Sequence, residues 1–590
     1  MNNKFYLYVK FFVYLSIFPM IFAFSACSKS TGSMQDTDKT QKQQTSEGTP
    51  MAKQSPSVDN SEPSRKIFGK CGANAKWFYD EEKQCLTISG TGVVDEVIDK
   101  GEQEDDIEYL DQDKHPIKEI KVEEGITALD GGPIFFNLGK EEDTKEIKIS
   151  LPNSLEKIGT DTFDPDYKIS PYIRHIHLPK NVRVIEAGAL WGLGDSQYAS
   201  SGSYQEDVKA ITENYNTPFE ITIDKNNPYY IVEDNVLFTK DKKTLVYYPV
   251  EKTEQVYRIP KSIVKIEALA FAGNTFIGEV VLPRGLTELG AGAFFRDHRL
   301  TTINLHQANK VEELHDFDGI KHKIYGCGSG NPEWKRYEPA VFIDEDDTRY
   351  SGSKKYAMTW YEHNAGYPRD WYMIGTFGGT DLREIEFPDS LKYAGYSTFS
   401  GCVNLEKITL GKSFAGDINP TEYCDEKGFA LPLEQSTDKI DIQVPANSKH
   451  YKVRNHVVYS ADGKTVYGIT KEYRGKTLVL DKNVRIITRN AFQQTKLKKV
   501  VVLGSLKQIG SGAFLWGGIK EFEVRGNIHT IDIEAFYSCS QLKKFTCQGT
   551  ITYIGDVAFY DDWNLKKFSC KEIKSAEEDA FDECDSMIFE

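Results

Sequence analysis

Beyond residue 110 the apolar positions follow one recurring rule, in which an apolar residue is followed three positions on by a second and two further on by a third. The pattern is read at Ile117, Ile120, Val122; at Ile173, Ile176, Leu178; at Ile277, Val280, Leu282; at Leu382, Ile385, Phe387; and at Leu542, Phe545, Cys547, among others. The last two positions of each set are two apart, so they face the same side of a strand. A second apolar block follows at fixed offset and ends in an Ala-Phe pair, as in Leu286, Leu289, Ala293, Phe294 and again in Leu506, Ile509, Ala513, Phe514. In the C-terminal array Phe492, Phe514, Phe536, Phe559 and Phe581 stand 22, 22, 23 and 22 residues apart. A unit of that length holds one strand, a turn and a second apolar segment, with no core of its own. Only stacking on its neighbours buries it. The pattern therefore predicts a β-rich repeat solenoid of stacked parallel strands, with Phe514 and Phe536 inside.

The units resemble the BspA-like leucine-rich repeats of bacterial surface proteins. The resemblance rests on Pro after the strand (Leu178-Pro179, Leu282-Pro283, Phe387-Pro388) and on Cys402, Cys539 and Cys584, each three residues after the corner Phe. Two further segments, Ile221 to Pro249 and Ile442 to Ile469, look like the hairpin-bearing repeats of that family. The stretch from Cys71-Gly72 through Trp77 to Gly92 looks like the module that opens such arrays. The resemblance implies a leucine-rich-repeat solenoid with inserted β-hairpins and a small N-terminal β module, and a role in binding rather than catalysis.

At the N-terminus Lys4 and Lys10 precede an apolar run from Phe11 to Phe24, then Ser25, Ala26 and Cys27, the layout of a secretory signal. Phe24-Ser25-Ala26-Cys27 resembles a bacterial lipobox, which implies cleavage before Cys27 and lipidation of its sulfur. Residues 28–64 are rich in Ser, Thr, Gln, Lys, Asp and Pro, a composition that cannot offset its ordering entropy. The expected organisation is a signal peptide (1–26), a flexible tether from lipidated Cys27 (27–64), an N-terminal β module (65–110), a first array (111–305, hairpin repeat 219–256), an irregular insertion (306–376) and a second array (377–590, hairpin repeat 441–477). The expected location is the outer membrane and cell surface of a Gram-negative bacterium.

A net charge of -16 argues against nucleic acid as a partner, because that requires a basic face. Repeat position accounts for half of the ten cysteines: three share the corner and Cys547 and Cys570 share an inward strand position. Cys547 with Cys570, and Cys71 with Cys85, are nevertheless close enough in the expected fold to pair. His175 and His177 share one strand face and supply half a metal site without visible further ligands. Gly326-Cys327-Gly328-Ser329-Gly330 lacks the context of a cysteine nucleophile, and no phosphate-binding loop, serine elbow or zinc-protease motif occurs. No cofactor and no catalytic residue is expected.

The insertion concentrates Trp334, Tyr337, Tyr350, Trp360, Tyr361, Tyr367, Trp371 and Tyr372 where the repeat needs none. Flat aromatic side chains on a scaffold loop suit sugar or protein recognition, and these eight are the candidate binding residues for an extracellular protein or glycan. The competing reading has them closing a local core over a disrupted repeat. The function expected is a cell-surface binding protein or adhesin; the alternatives are a glycan-handling surface enzyme or accessory protein, and a purely structural envelope protein.

Overall fold

The computed structural model describes residues 66–315 and 375–589, except 97, 99, 103–106, 110–114, 131–133, 136–137, 139–144, 161, 164–169, 195–216, 275, 396, 419–439 and 585. Cys27 and the rest of the N-terminal segment lie outside them. Among the described residues the structure is strands and turns, with two short 3-10 turns, Ser170–Tyr172 and Leu305–Gln307.

Each repeat has three sides. The first is the strand expected from the apolar triplets: Lys499–Val502, Glu521–Val524, Lys544–Cys547 and Lys567–Ser569 pair in parallel, with Val500, Phe522, Phe545 and Phe568 in register and buried. The second apolar block forms a second parallel sheet, in which Leu506–Ile509, Ile528–Ile531 and Thr550–Ile554 are neighbours. The third side is the Ala-Phe corner. There the rings of Phe492, Phe514, Phe536, Phe559 and Phe581 stack at centroid separations of 5.2, 4.9, 4.9 and 5.2 Å.

The corner has its own hydrogen-bond ladder. The amides of Phe492, Phe514, Phe536 and Phe559 donate to the carbonyls of Ala513, Ala535, Ala558 and Ala580 in the next unit, at 2.7 to 2.8 Å. Turning the chain so sharply needs left-handed residues on both sides of the Phe: Asn490, Gly512, Glu534 and Val557 two before it, and Gln494, Trp516, Ser538, Asp561 and Glu583 two after it. The inter-repeat bonds hold side-chain-bearing residues in a conformation that would otherwise be unfavourable.

The hairpin repeats partition the interior. Tyr230–Glu233, Val236–Thr239 and Thr244–Tyr247 form an antiparallel meander, and the last of these pairs in parallel with the next repeat at Lys265–Ile266. Leu237 and Val246 belong to the core that begins at Ile67, whereas Val236, Phe238 and Leu245 belong to the core that runs on to Tyr467. In the second meander Val458 joins that middle core, and Val457 and Tyr459 join the C-terminal one. Both faces of these strands are buried, which is why Val236-Leu237-Phe238 and Val457-Val458-Tyr459 are apolar without alternation. Each hairpin is thus a wall that closes one stack and starts the next.

One buried ion pair locks the first wall. Arg174, just before the strand His175–Leu178, is fully buried and grips both carboxylate oxygens of Glu251, which lies beyond the meander. It also donates to the carbonyls of Thr217 at 3.0 Å and Pro171 at 3.2 Å. At the N-terminal end Lys66–Lys70, Ala75–Asp80 and Cys85–Gly90 form an antiparallel meander around buried Trp77 and Tyr79. Its last strand pairs in parallel with Glu119–Val122. The module supplies a first partner for a repeat that cannot bury its face alone.

The described cysteines are all free thiols, so neither Cys71 with Cys85 nor Cys547 with Cys570 is bridged. At the corner their role is more specific than that of a small hydrophobe: the thiols of Cys402, Cys539 and Cys584 donate to the carbonyls of Phe377, Phe514 and Phe559 at 2.9 to 3.0 Å. Thr380 and Thr495 occupy the same position but donate to the corner carbonyl of their own unit, Phe377 and Phe492, rather than to that of the preceding one. Asp562 stands in this column between Cys539 and Cys584, fully buried, and neither carboxyl oxygen has a partner. Burial pushes its carboxyl well above the usual range.

A position filled elsewhere by a small thiol or hydroxyl donor is here filled by a buried carboxyl whose oxygens find no partner. Asp562→Cys is expected to raise stability at pH 7 by about 1 to 3 kcal/mol by removing an unpaired buried group. An acid whose folded-state pKa is raised contributes its full stability below the unfolded value, and that contribution is lost as pH rises through the folded value. The gain from Asp562→Cys should therefore shrink as pH falls from 7 toward about 4. Melting temperatures of both chains across that range check this; a gain that grows on acidification would refute it.

Candidate functional site

The segment carrying the candidate aromatics leaves the array at one point. The regular repeat runs past His306, through Leu305–Gln307 and the strand Glu313–Leu314, which pairs in parallel with Tyr393–Ala394. It resumes at Gly375. The irregular segment therefore begins after His315, about ten residues later than its broken period implied. Phe294, Phe377 and Phe399 stack across the gap at 5.9 and 6.0 Å with interplanar angles of 1° and 11°, and the amide of Phe294 donates to Thr376 at 3.0 Å. The corner ladder is unbroken although 83 residues separate Phe294 from Phe377.

The two ends of the inserted segment meet. The Thr376 hydroxyl reaches the His315 carbonyl at 3.5 Å, and Thr376 is fully buried. The return is shaped by Gly375, where an added Cβ would lie 1.7 Å from the Ser397 carbonyl oxygen. Only glycine allows the chain to re-enter so close to the next repeat. Trp334, Tyr337, Tyr350, Trp360, Tyr361, Tyr367, Trp371 and Tyr372 all lie between these ends, outside the described residues.

His175 and His177 do share an exposed face. Their ring nitrogens Nε2 and Nδ1 both contact the Thr222 hydroxyl, at 3.0 and 2.9 Å. Among the described residues no group of three or more His, Cys, Asp or Glu side chains could hold a metal ion. On the outer face of the C-terminal sheet Lys499 pairs with Glu521 at 2.6 Å, which lowers the Glu521 carboxyl through that hydrogen bond. The neighbours Lys544 and Lys567 carry like charges in register, so the ladder alternates only in part. Exposed pairs of this kind contribute little stability.

Sequence reading overlooked a second aromatic surface. On the outer side of the corners, Tyr537 and Tyr560 stack at 5.1 Å and 18°, with Trp516 and Trp563 exposed by 49% and 56%. The signal was present: aromatic residues one, two and four positions after the Ala-Phe pair in successive units.

A solenoid of short parallel strands, a second strand block and a stacked Phe corner defines a leucine-rich-repeat protein. Six copies of the BspA type leucine rich repeat region match residues 247–319, 373–423 and 471–588, so these stretches carry repeats of that type. The gap between the first two matched segments, 320–372, falls within the inserted segment. Solved structures with similarity include a leucine-rich repeat protein from Eubacterium ventriosum (15% identity, 88% of this chain and 95% of that one, TM-score 0.26). Another is the pneumococcal vaccine antigen PcpA (15%, 74% and 93%, 0.33). A third is a leucine rich cell surface protein from Faecalibacterium prausnitzii (14%, 62% and 94%, 0.28). No curated protein matches the chain.

Proposed function

We propose that this chain is a lipid-anchored cell-surface binding protein whose repeat scaffold presents the segment between His315 and Gly375 to an extracellular protein or glycan. The observation that carries the reading is the unbroken Phe294, Phe377, Phe399 stack beneath a long segment whose two ends meet. A core that closes without the insert does not need it for packing. Three of the seven tryptophans, Trp334, Trp360 and Trp371, lie in it. Aromatic anchors tend to dominate interface energies. The anchor is assigned to Cys27 on its lipobox-like context, export across the cytoplasmic membrane follows from the same signal, and the surface location is supported by the type of repeat.

The test compares cells carrying the intact chain, the Cys27→Ser chain, and a chain with residues 316–374 replaced by a short turn, against matrix proteins and glycans. Cys27→Ser is expected to abolish surface display. The shortened chain is expected to stay displayed, to melt close to the parent temperature and to lose binding. Binding that survives the replacement would overturn the assignment to the insert.

A further inference from the structure

The aromatic corner of the C-terminal repeats is built by the ladder that turns each unit. The Trp516 amide donates to the Tyr537 carbonyl at 3.0 Å, the Ser538 amide to Tyr560 at 2.8 Å, and the Asp561 amide to Asp582 at 3.2 Å. These bonds set equivalent residues of successive units side by side, so Tyr537 and Tyr560 stack and Trp516 and Trp563 flank them in sequence as exposed rings. The backbone bonds fix where these side chains leave the chain, and the stack limits the rotamers of Tyr537 and Tyr560, which lowers the ordering cost of binding at that pair.

The charges acting on this pair are of one sign. Glu534 and Asp561 act on the Tyr537 hydroxyl, and Glu583, Asp561 and Asp582 act on that of Tyr560. Asp561 accepts from the Ser538 hydroxyl at 2.8 Å. Asp582 and Glu583 are exposed and make no ion pair among the described residues. Tryptophan and tyrosine faces attract cations, more strongly for guanidinium and ammonium groups that also meet a carboxylate.

We propose that Trp516, Tyr537, Tyr560 and Trp563, with Asp561, Asp582 and Glu583, form a docking surface for an Arg- and Lys-containing segment of a partner protein. Charge complementarity selects that occupant: a neutral glycan would use the rings and hydrogen-bond the carboxylates but gain no Coulombic attraction from them, and an acidic segment would be repelled. The proposal rests on and deepens the reading of this chain as a binding protein, at residues outside the insert.

The test is titration of the full chain with a synthetic dodecapeptide alternating Arg, Lys and Gly, followed by tryptophan fluorescence, with a Glu/Gly dodecapeptide and cellohexaose as comparison probes. The basic peptide is expected to bind, with affinity falling as salt is raised. Trp516→Gly keeps the left-handed turn available, and it should weaken binding at least tenfold without lowering the melting temperature. The double change Asp582→Asn with Glu583→Gln should weaken it several-fold and flatten the salt dependence. The chain lacking residues 316–374 should bind the peptide as the parent does, which separates this surface from the insert. Unchanged affinity in Trp516→Gly, or equal binding of cellohexaose or the acidic peptide, would overturn the proposal.

Discussion

Arg174→Ala is expected to destabilise the protein by about 3 to 5 kcal/mol, because it strands a buried carboxylate. Arg174 and Glu251 are both buried, with two guanidinium nitrogens on two carboxylate oxygens, and the Phe219 amide adds a third bond to Glu251 at 3.3 Å. Burial pushes the Glu251 carboxyl up even against the opposing pull of Arg174. Without the arginine that carboxyl must take a proton or remain charged in an apolar wall.

The loss should therefore be smaller in acid, where Glu251 is neutral in both folded chains, and should grow as pH rises through the parent's own raised folded value, above which only the parent has a guanidinium to meet the carboxylate. The double change Arg174→Met with Glu251→Leu should cost far less, since replacing a buried pair by apolar groups is often near neutral. Denaturation with hydrogen exchange on the strand Glu220–Ile223 would report all three chains. A parent-like Arg174→Ala chain would show that the wall does not depend on the pair.

Phe536→Ala is expected to cost about 3 to 5 kcal/mol, since it removes a fully buried ring from a column that cannot collapse on one side only. Its ring meets Phe514 and Phe559 along the corner at 4.9 Å each, and Phe522 and Phe545 of the strand side at 5.1 and 5.6 Å. In a stacked array each unit is stabilised by its neighbours, so the damage should appear as early exchange of amides from Phe514 onward, with the core before Tyr451 unaffected. Phe581→Ala, at a half-buried position of the same column, should cost clearly less. Equal losses at the two positions would mean that the corner stack does not carry the stability assigned to it.

The pattern of apolar residues was enough to determine the repeat, its period, its strand register and the burial of the corner Phe, because a unit without its own core must repeat its contacts at a constant offset. It also marked hairpin repeats and an N-terminal β module, and the structure has antiparallel meanders within residues 66–90, 230–247 and 451–469. It did not locate where the insert begins. Val311 and Leu314 continue the pattern, but the corner that should follow is displaced to Phe377, and a period cannot be tracked across such a gap. The column holding Cys402, Cys539 and Cys584 was legible as a column, whereas the place of Asp562 in it and the carbonyls that the thiols reach became visible only in the packed array.

Contacts between residues far apart in the chain belong to the tertiary structure alone. Arg174 and Glu251 are 77 positions apart, and nothing local in either segment announces the other. Which core each face of Val236-Leu237-Phe238 joins depends on the stacks to either side, and the acidic aromatic corner exists only because the ladder brings successive turns together. Periodic local patterns encode what every unit shares; the walls, the locked pair and the aromatic corner are where units differ, and only the packed array decides them.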